Sequence, residues 1–337
     1  VTDLVQMAAN RVDHDQWVLR ADGEVVPQSS NPAVIHAMLR MLDLQDGHRV
    51  LEIGTGSGYS GALIAEIIGP GGDLTSIDID TDLVERAARL HERAGNDHAA
   101  VRAGDGTTGA LDTAPFDRIV AWTTPNLLPR SWVEQTAPGG KIVSPVKIAD
   151  IALANAILSC RIIDNEPVEL GLRPGGFIEM TPDSPTDLGL PRAFVDTVRP
   201  ETDGPPVWIS ASALHDQPSS TADRLAAELV AAKPRRSYVE PEDRESFTAY
   251  VLAATPHPAS AGTSHGWAVG IATPTSAALV LHDGSLVAAG TGEARTELEN
   301  LRQRWHAWKP PSAAPYTNVE VAATPNDHGW VIRPQLR

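Results

Sequence analysis

Three glycines and three carboxylates carry the chemistry that can be read from this chain. Residues 50 to 60 read Val-Leu-Glu-Ile-Gly-Thr-Gly-Ser-Gly-Tyr-Ser. An apolar run ends in Glu52 and Ile53, and Gly54, Thr55, Gly56 and Gly58 follow. Glycines at this spacing let a backbone turn sharply and come close to a ligand, where a Cβ would clash. A dinucleotide fingerprint needs its third glycine one position later, where this chain has Tyr59. An acidic residue two before the first glycine suits a ligand with a cationic amino-acid end, such as S-adenosylmethionine. Asp78 closes Leu-Thr-Ser-Ile-Asp, 20 residues past Gly58, and Ile79 follows it. A carboxylate there can accept hydrogen bonds from both hydroxyls of a ribose. Asp105 follows a third apolar stretch in Ala-Gly-Asp-Gly-Thr. It can accept from an adenine exocyclic amine, with the backbone N–H of Gly106 facing the ring. Taken singly, Asp78 and Asp105 could each be a helix cap or a solvated turn.

Those positions require strands that end together. Arg49 to Ile53 reads as a strand and Gly61 to Ile68 as the helix after it. Gly69 to Asp73 is turn chemistry, Leu74 to Ile79 a second strand, and Asp82 to Ala94 a helix with Leu83, Ala87, Leu90 and Ala94 on one face. Ala99 to Ala103 and Phe116 to Trp122 read as strands. Trp132 to Ala137 reads as a short helix stopped by Pro138-Gly139-Gly140, and Lys141 to Val146 as a strand. Repeated βα units imply a parallel sheet covered on both faces, with ligands beyond the strand C-termini.

The formal net charge of −16, from 27 basic and 43 acidic residues, argues against nucleic acid or an anionic membrane as a partner. The longest Lys/Arg run is Arg235-Arg236. Cys160 is the only cysteine, so a disulfide framework and a thiolate metal cluster are both excluded, and its apolar surroundings predict a buried residue. The eleven histidines offer no metal constellation: His257 and His265 lack partners at ligand spacing. No run approaches the roughly 18 apolar residues of a membrane span, and no signal peptide is read at the start. The expectation is a cytoplasmic protein, with Val1 leaving the native start open. A length of 337 residues predicts two domains.

The order and spacing of Leu-Glu-Ile-Gly-Thr-Gly-Ser-Gly-Tyr, Ile-Asp-Ile-Asp, Gly-Asp-Gly-Thr, Ala-Pro-Phe-Asp-Arg-Ile and Pro-Gly-Gly-Lys-Ile-Val-Ser-Pro-Val resemble the protein-L-isoaspartate O-methyltransferases over residues 28 to 147. The resemblance implies an α/β, Rossmann-like class I S-adenosylmethionine-dependent methyltransferase fold. It also implies a cofactor site built from Glu52, the glycine loop, Asp78, Ile79, Asp105 and Gly106. Upstream, Ser29-Ser30-Asn31-Pro32 matches a segment whose serine contacts the methyl-accepting carboxylate in the family; alignment on Pro32 assigns this catalytic contact to Ser30, with Ser29 and Asn31 beside the substrate. Ser30 is also a candidate helix N-cap, and His36 in the helix that follows reads as a partly buried structural residue. Only 29 residues precede Ser30, fewer than the family usually has.

Beyond residue 182 the chain runs on for over 150 residues that the repair enzyme lacks. Residues 1–47 read as an N-terminal segment with the substrate-contacting helix, 48–182 as the methyltransferase core, 183–206 as a linker, and 207–337 as an additional α+β domain. Thr221 to Ala232 and Gly292 to Trp308 read as helices. Trp267 to Ala272, a hairpin over Ser276 to Gly290, Tyr316 to Ala323 and Trp330 to Ile332 read as strands. The stripe Leu298, Leu301, Trp305, Trp308 reads as core packing before peptide binding. Longer relatives of this kind are similar to methyltransferases of ribosomally made, modified peptides, which implies a carboxyl methyltransferase acting on aspartate or isoaspartate of a constrained peptide, the ester collapsing to a succinimide. Two alternatives stand beside it: a general isoaspartate repair enzyme, and a non-catalytic cofactor-binding protein that captures peptides.

Overall fold

A computed structural model describes residues 3–181, 183, 190–201, 204–236, 238–308, 315–316 and 319–336. The expected linker and the expected strand at 316–323 fall partly outside these residues. Three helices come first: α1 (Leu4–Arg11), α2 (His14–Val18) and α3 (Pro32–Leu42). The βα alternation follows as β1 (Arg49–Ile53), α4 (Tyr59–Ile68), β2 (Asp73–Asp78), α5 (Thr81–Ala94), β3 (Ala99–Ala103), β4 (Phe116–Ala121), β5 (Leu128–Pro129), α6 (Arg130–Glu134) and β6 (Thr136–Lys147). A hairpin, β7 (Asn155–Ile163) and β8 (Glu166–Pro174), completes the first sheet.

That sheet has the order β3-β2-β1-β4-β6-β7-β8. β1 pairs in parallel with β2 and with β4, so the chain reverses its direction of travel between β1 and β4. In a doubly wound sheet this reversal opens a crevice beyond the strand C-termini. The elements form for local reasons. α5 starts where Asp80 Oδ1 accepts the N–H groups of Asp82 and Leu83, and ends at Gly95 in the left-handed region. Its inward face is Leu83, Val84, Ala87 and Leu90; Ala94, expected on that face, is exposed in the last turn. α3 is capped by Asn31, whose Oδ1 accepts from the Ala33 N–H at 2.9 Å. The cap is therefore one residue later than Ser30.

The end of the first sheet also has local physical causes. Pro138-Gly139-Gly140 does not stop a helix; it lies inside β6, where the pairing with β4 jumps from Phe116↔Thr136 to Arg118↔Lys141. Gly139 takes φ +78 in that irregularity. α6 is accordingly short, ending at Glu134. The β7–β8 hairpin turns at Asp164 and Asn165, both with positive φ, as a tight hairpin turn requires. Cys160, on β7, is buried as expected, and burial pushes its thiol up to about 12.

The second domain is a six-stranded antiparallel meander ordered β14-β13-β12-β11-β10-β9. Its strands are β9 (Thr197–Arg199), β10 (Val207–Ala211), β11 (Pro258–Thr263), β12 (Gly266–Thr273), β13 (Ser276–Leu281) and β14 (Leu286–Gly290). Helix α7 (Ser219–Ala231) covers one face with Leu225, Ala226 and Leu229. Helices α8 (Arg244–Ala254) and α9 (Glu293–Trp308) cover the other with Phe247, Tyr250, Leu298, Leu301 and Trp305. The α9 stripe is thus packing. β9 lies within the stretch expected to be a linker.

The chain then returns. β15 (Val319–Asn326) and β16 (Gly329–Leu336) form a hairpin whose Trp330 and Gly329 pair with Leu128 and Pro129 of β5. Arg130 Nη2 donates to Asn326 O at 2.6 Å, Trp330 Nε1 donates to Glu166 at 3.0 Å, and Arg333 meets Asp150 at 2.6 Å. Between the domains, the buried backbone of Ala152 is gripped at both of its polar groups: its N–H donates to Ser210 Oγ at 2.8 Å and its carbonyl accepts from Ser260 Oγ at 2.6 Å. Leu252 and Val269 of the second domain join the first domain's core cluster. Among the described residues no helix is long and apolar enough to cross a membrane.

A shared core and a gripped peptide predict one cooperative unfolding event. Urea denaturation followed by far-UV dichroism and by tryptophan fluorescence should give coincident curves. Trp330→Ala should lower stability by about 3–5 kcal/mol and shift both curves together. A variant in which the two signals separate would show the domains to be independent.

Candidate active site

One cavity, of about 170 Å³, lies where the strand order reverses. Its floor is the glycine loop, with Gly54, Thr55 and Gly56. One wall is Pro27 to Ser30, a second is Asp78, Ile79, Asp105 and Gly106, and a third is Trp122, Thr123 and the strap Phe177–Thr181. Most of the residues expected to bind a ligand therefore meet in one place. Glu52, Gly58 and Asn31 do not line it.

Asp78 is tethered to the floor. Its Oδ2 accepts from the Gly56 N–H at 2.9 Å and its Oδ1 from the Asp80 N–H at 3.0 Å. Burial raises its pKa, and the two backbone donors oppose the rise in part. Gly56 has φ +52, and a Cβ there would lie 2.7 Å from the carbonyl oxygen of Gln28. The N-terminal wall therefore rests directly on the glycine loop, a closeness that a side chain would prevent. Gly58 serves packing: it caps α4 at φ +86, with Trp17 and Ala87 closely against it.

Asp105 caps a 3-10 turn, where its Oδ1 accepts from Thr107 N and Thr107 Oγ1 at 2.9 and 2.7 Å. This loop is held from α6. Trp132 Nε1 donates to Gly106 O at 2.7 Å, and Gln135 bonds Thr108 O and the Ala110 N–H at 2.8 and 2.7 Å. Ser29 and Ser30 face the cavity. Three buried polar atoms on its walls, Gln28 Oε1, Ser29 Oγ and Thr123 Oγ1, have no hydrogen-bond partner in the protein. Buried polar groups rarely stay unpaired, so these atoms fit a polar ligand.

Glu52 corrects the expectation of direct ligand contact. Its side chain is fully buried behind the loop. Oε1 accepts from Ser60 Oγ at 2.5 Å and from Trp122 Nε1 at 2.9 Å; Oε2 accepts from Ser76 Oγ at 2.6 Å. Ser76 in turn shares a hydrogen bond of 2.7 Å with Thr55 Oγ1. These donors leave the carboxylate no reach into the cavity. Trp122, Thr123 and the strap were not among the expected site residues. Trp122 and Thr123 directly follow β4, so the rule that ligands sit beyond strand C-termini was the available signal. Phe177 packs on Trp122 with ring centroids 5.8 Å apart, but the strap carries no local motif. His36 is half-buried, with Nε2 3.2 Å from Tyr59 Oη, and burial lowers its pKa. Among the described residues no group of three His, Cys, Asp or Glu side chains could hold a metal ion.

Burial raises the Glu52 pKa above the ordinary carboxyl range, so the folded state disfavours its ionised form. Stability from this group is complete below the ordinary carboxyl pKa and is lost as pH rises through the raised value. Glu52→Gln keeps an acceptor for Ser60 and Trp122 and cannot titrate. Relative to wild type, its urea midpoint should therefore rise as pH climbs above the ordinary carboxyl pKa of about 4. Glu52→Ala strands three donors and should cost on the order of 3 kcal/mol. A midpoint difference for Glu52→Gln that stays flat across the range would remove the titration argument.

The family model described as Protein-L-isoaspartate(D-aspartate) O-methyltransferase (PCMT) matches residues 11–157. The chain is 43% identical over 118 residues to a protein-L-isoaspartate O-methyltransferase of Methanothrix thermoacetophila, covering 35% of this chain and 56% of that one. It is 44% identical over 117 residues to one from Pyrococcus horikoshii, covering 35% and 52%. The chain thus spans about half the length of these curated relatives. A solved structure titled protein-L-isoaspartate O-methyltransferase aligns over 98% of this chain and 95% of its own, at 19% identity and a TM-score of 0.51, a likeness of fold that includes the second domain and so corrects the expectation that such proteins lack the region beyond residue 182. The resemblance to the protein-L-isoaspartate(D-aspartate) O-methyltransferase family thus rests on residues 11–157, somewhat under half of this chain.

Proposed function

We propose that this chain is an S-adenosylmethionine-dependent carboxyl O-methyltransferase, acting in the cytoplasm on aspartate or isoaspartate of a constrained, modified peptide. The observation that carries the reading is the meeting of Asp78, Asp105 and Ser30 in one cavity floored by the glycine loop. The bound cofactor supplies an electrophilic methyl group. Asp78 would accept from the ribose hydroxyls and Asp105 from the adenine amine, with the Gly106 N–H beside the ring. Ser30 would orient the acceptor carboxylate. That group is ionised at neutral pH, so Ser30 needs no proton-transfer role; orientation and exclusion of water are what the walls contribute. Ser29 and Thr123 add unpaired hydroxyls to those walls. Once esterified, the acceptor is electrophilic at its carbonyl. A neighbouring backbone nitrogen attacks, methanol leaves, and a five-membered imide closes without help from the protein.

Two observations support a part for the second domain at the site, and both are compatible with repair as well as with a dedicated peptide. The second domain is built into the first through the Ala152 grip and the shared core. An open groove adjoins the cavity, sharing Ile77, Asp105 and Met180 with it, and its lining includes Asp327 and His328 from the C-terminal hairpin. The family match of residues 11–157 supports the repair reading as the alternative.

Asp78→Ala should weaken S-adenosylmethionine binding by about 1.5–3 kcal/mol, the range for hydrogen bonds to a charged group. Ser30→Ala should slow single-turnover methyl transfer while cofactor affinity holds. Calorimetry with an unchanged Kd for a folded Asp78→Ala variant would remove the ribose assignment. Mass spectrometry on a cyclised partner peptide should follow gain of a methyl and then loss of methanol. Equal turnover of random isoaspartyl peptides would replace the dedicated reading with repair.

A further inference from the structure

The second domain reaches the ligand cavity through one side chain. Glu179 lies in the middle of the strap and lines the cavity. Its Oε2 accepts the N–H groups of Arg192 and Ala193 at 2.7 and 3.0 Å, and its Oε1 meets Lys147 Nζ at 3.3 Å. The Lys147 side chain is 1% exposed and that of Glu179 is 9%. Lys147 Nζ also donates to Ile151 O at 3.4 Å and sits 5.0 Å from the centre of the Phe194 ring. The Phe194 carbonyl accepts from Ser210 Oγ, the same hydroxyl that accepts the Ala152 N–H. A polar path therefore runs from β10, through residues 192–194, to the strap. Phe194 holds φ +63, which a bulky residue adopts only when its surroundings impose it.

The strap is also held by the first domain, at Thr124. Thr124 N donates to Ile178 O at 2.8 Å, Met180 N donates to Thr124 O at 2.9 Å, and Thr124 Oγ1 bonds Phe177 O and N. Thr124 fixes one edge of the strap, and Glu179 clasps it from the side of the second domain. A buried carboxylate with two backbone donors and an ammonium around it has a narrowly defined position.

We propose that Glu179 is a positioning residue through which the second domain sets the wall of the ligand cavity. The identity of the ligand rests on the function proposed above; the clasp does not. Two double variants in the full-length protein separate positioning from mere ion pairing. Lys147→Met with Glu179→Gln removes both buried charges and keeps an oxygen for the Arg192 and Ala193 N–H groups. Lys147→Met with Glu179→Ala removes the charges and the acceptor.

Hydrogen exchange read by mass spectrometry should find the strap amides of the Gln variant close to wild type. Those of the Ala variant should exchange about tenfold faster, with the rest of the sheet unchanged. S-adenosylmethionine affinity by calorimetry should fall about tenfold in the Ala variant alone, the size of one lost acceptor that leaves buried N–H groups unpaired. Equal strap exchange in the two variants, or acceleration spread over the whole protein, overturns the proposal. So does an unchanged Kd in the Ala variant when wild type binds. If wild type itself does not bind the cofactor, the proposed function falls, and the exchange comparison still decides the clasp.

Discussion

The buried carboxylate of Glu52 is the constraint around which the first domain is arranged. A fully buried carboxyl group must have its oxygens satisfied. The donors come from three directions: Ser60 in the first turn of α4, Ser76 in β2, and Trp122 after β4. The carboxylate at the end of β1 thereby holds the helix after the glycine loop and both neighbouring strands in one relation. It also dictates its surroundings. A Cβ at position 61 would lie 2.9 Å from Glu52 Oε2 and 3.2 Å from His91 Nε2, so α4 passes it with a glycine. The loop can then offer backbone to the cavity while its flanks stay fixed.

The cavity is assembled from segments far apart in the chain. Residues 27–30 lie on the glycine loop, the strand ends bring the acids, α6 holds the Asp105 turn, and the strap comes after β8. The strap in turn leans on residues 192–194 and on the second sheet. The extra domain is thus structurally continuous with the cavity wall, and its contribution to the site does not depend on touching a substrate.

Much of the first sheet was legible because its signals are local. Apolar runs punctuated by glycine, and the helical spacing of Leu83, Ala87 and Leu90, marked β1 to β4 and the helices between them to within one or two residues. Asp78 and Asp105 were legible because strand ends in such a sheet converge. Glu52 was misread because a ligand-facing acid and a buried acid occupy the same place in sequence. What separates them is the set of donors around them, which lie at residues 60, 76 and 122. Ser30 and Asn31 are both good caps ahead of Pro32, and local sequence does not choose between them. In the second domain β11 was missed: Pro-Ala-Ser-Ala-Gly-Thr has little apolar bulk, yet it is buried because Ala259 and Ala261 pack in the cluster formed with α7. The strap had no pattern to read, since its place depends on partners at residues 124, 147 and 192.

The return of the C-terminal hairpin to β5 has a consequence for biosynthesis. Arg130 waits for a carbonyl 196 residues further along the chain, and β5 is paired on that side by the last strand of the described structure. At ribosomal rates of about 5–20 residues per second, that partner emerges roughly 10–40 s after Arg130 itself. During that interval the apolar surface of the nascent first domain that Trp330 later covers lies open, a site of the kind that chaperones shield. The order of synthesis thus sets a period of vulnerability that the finished fold no longer reveals.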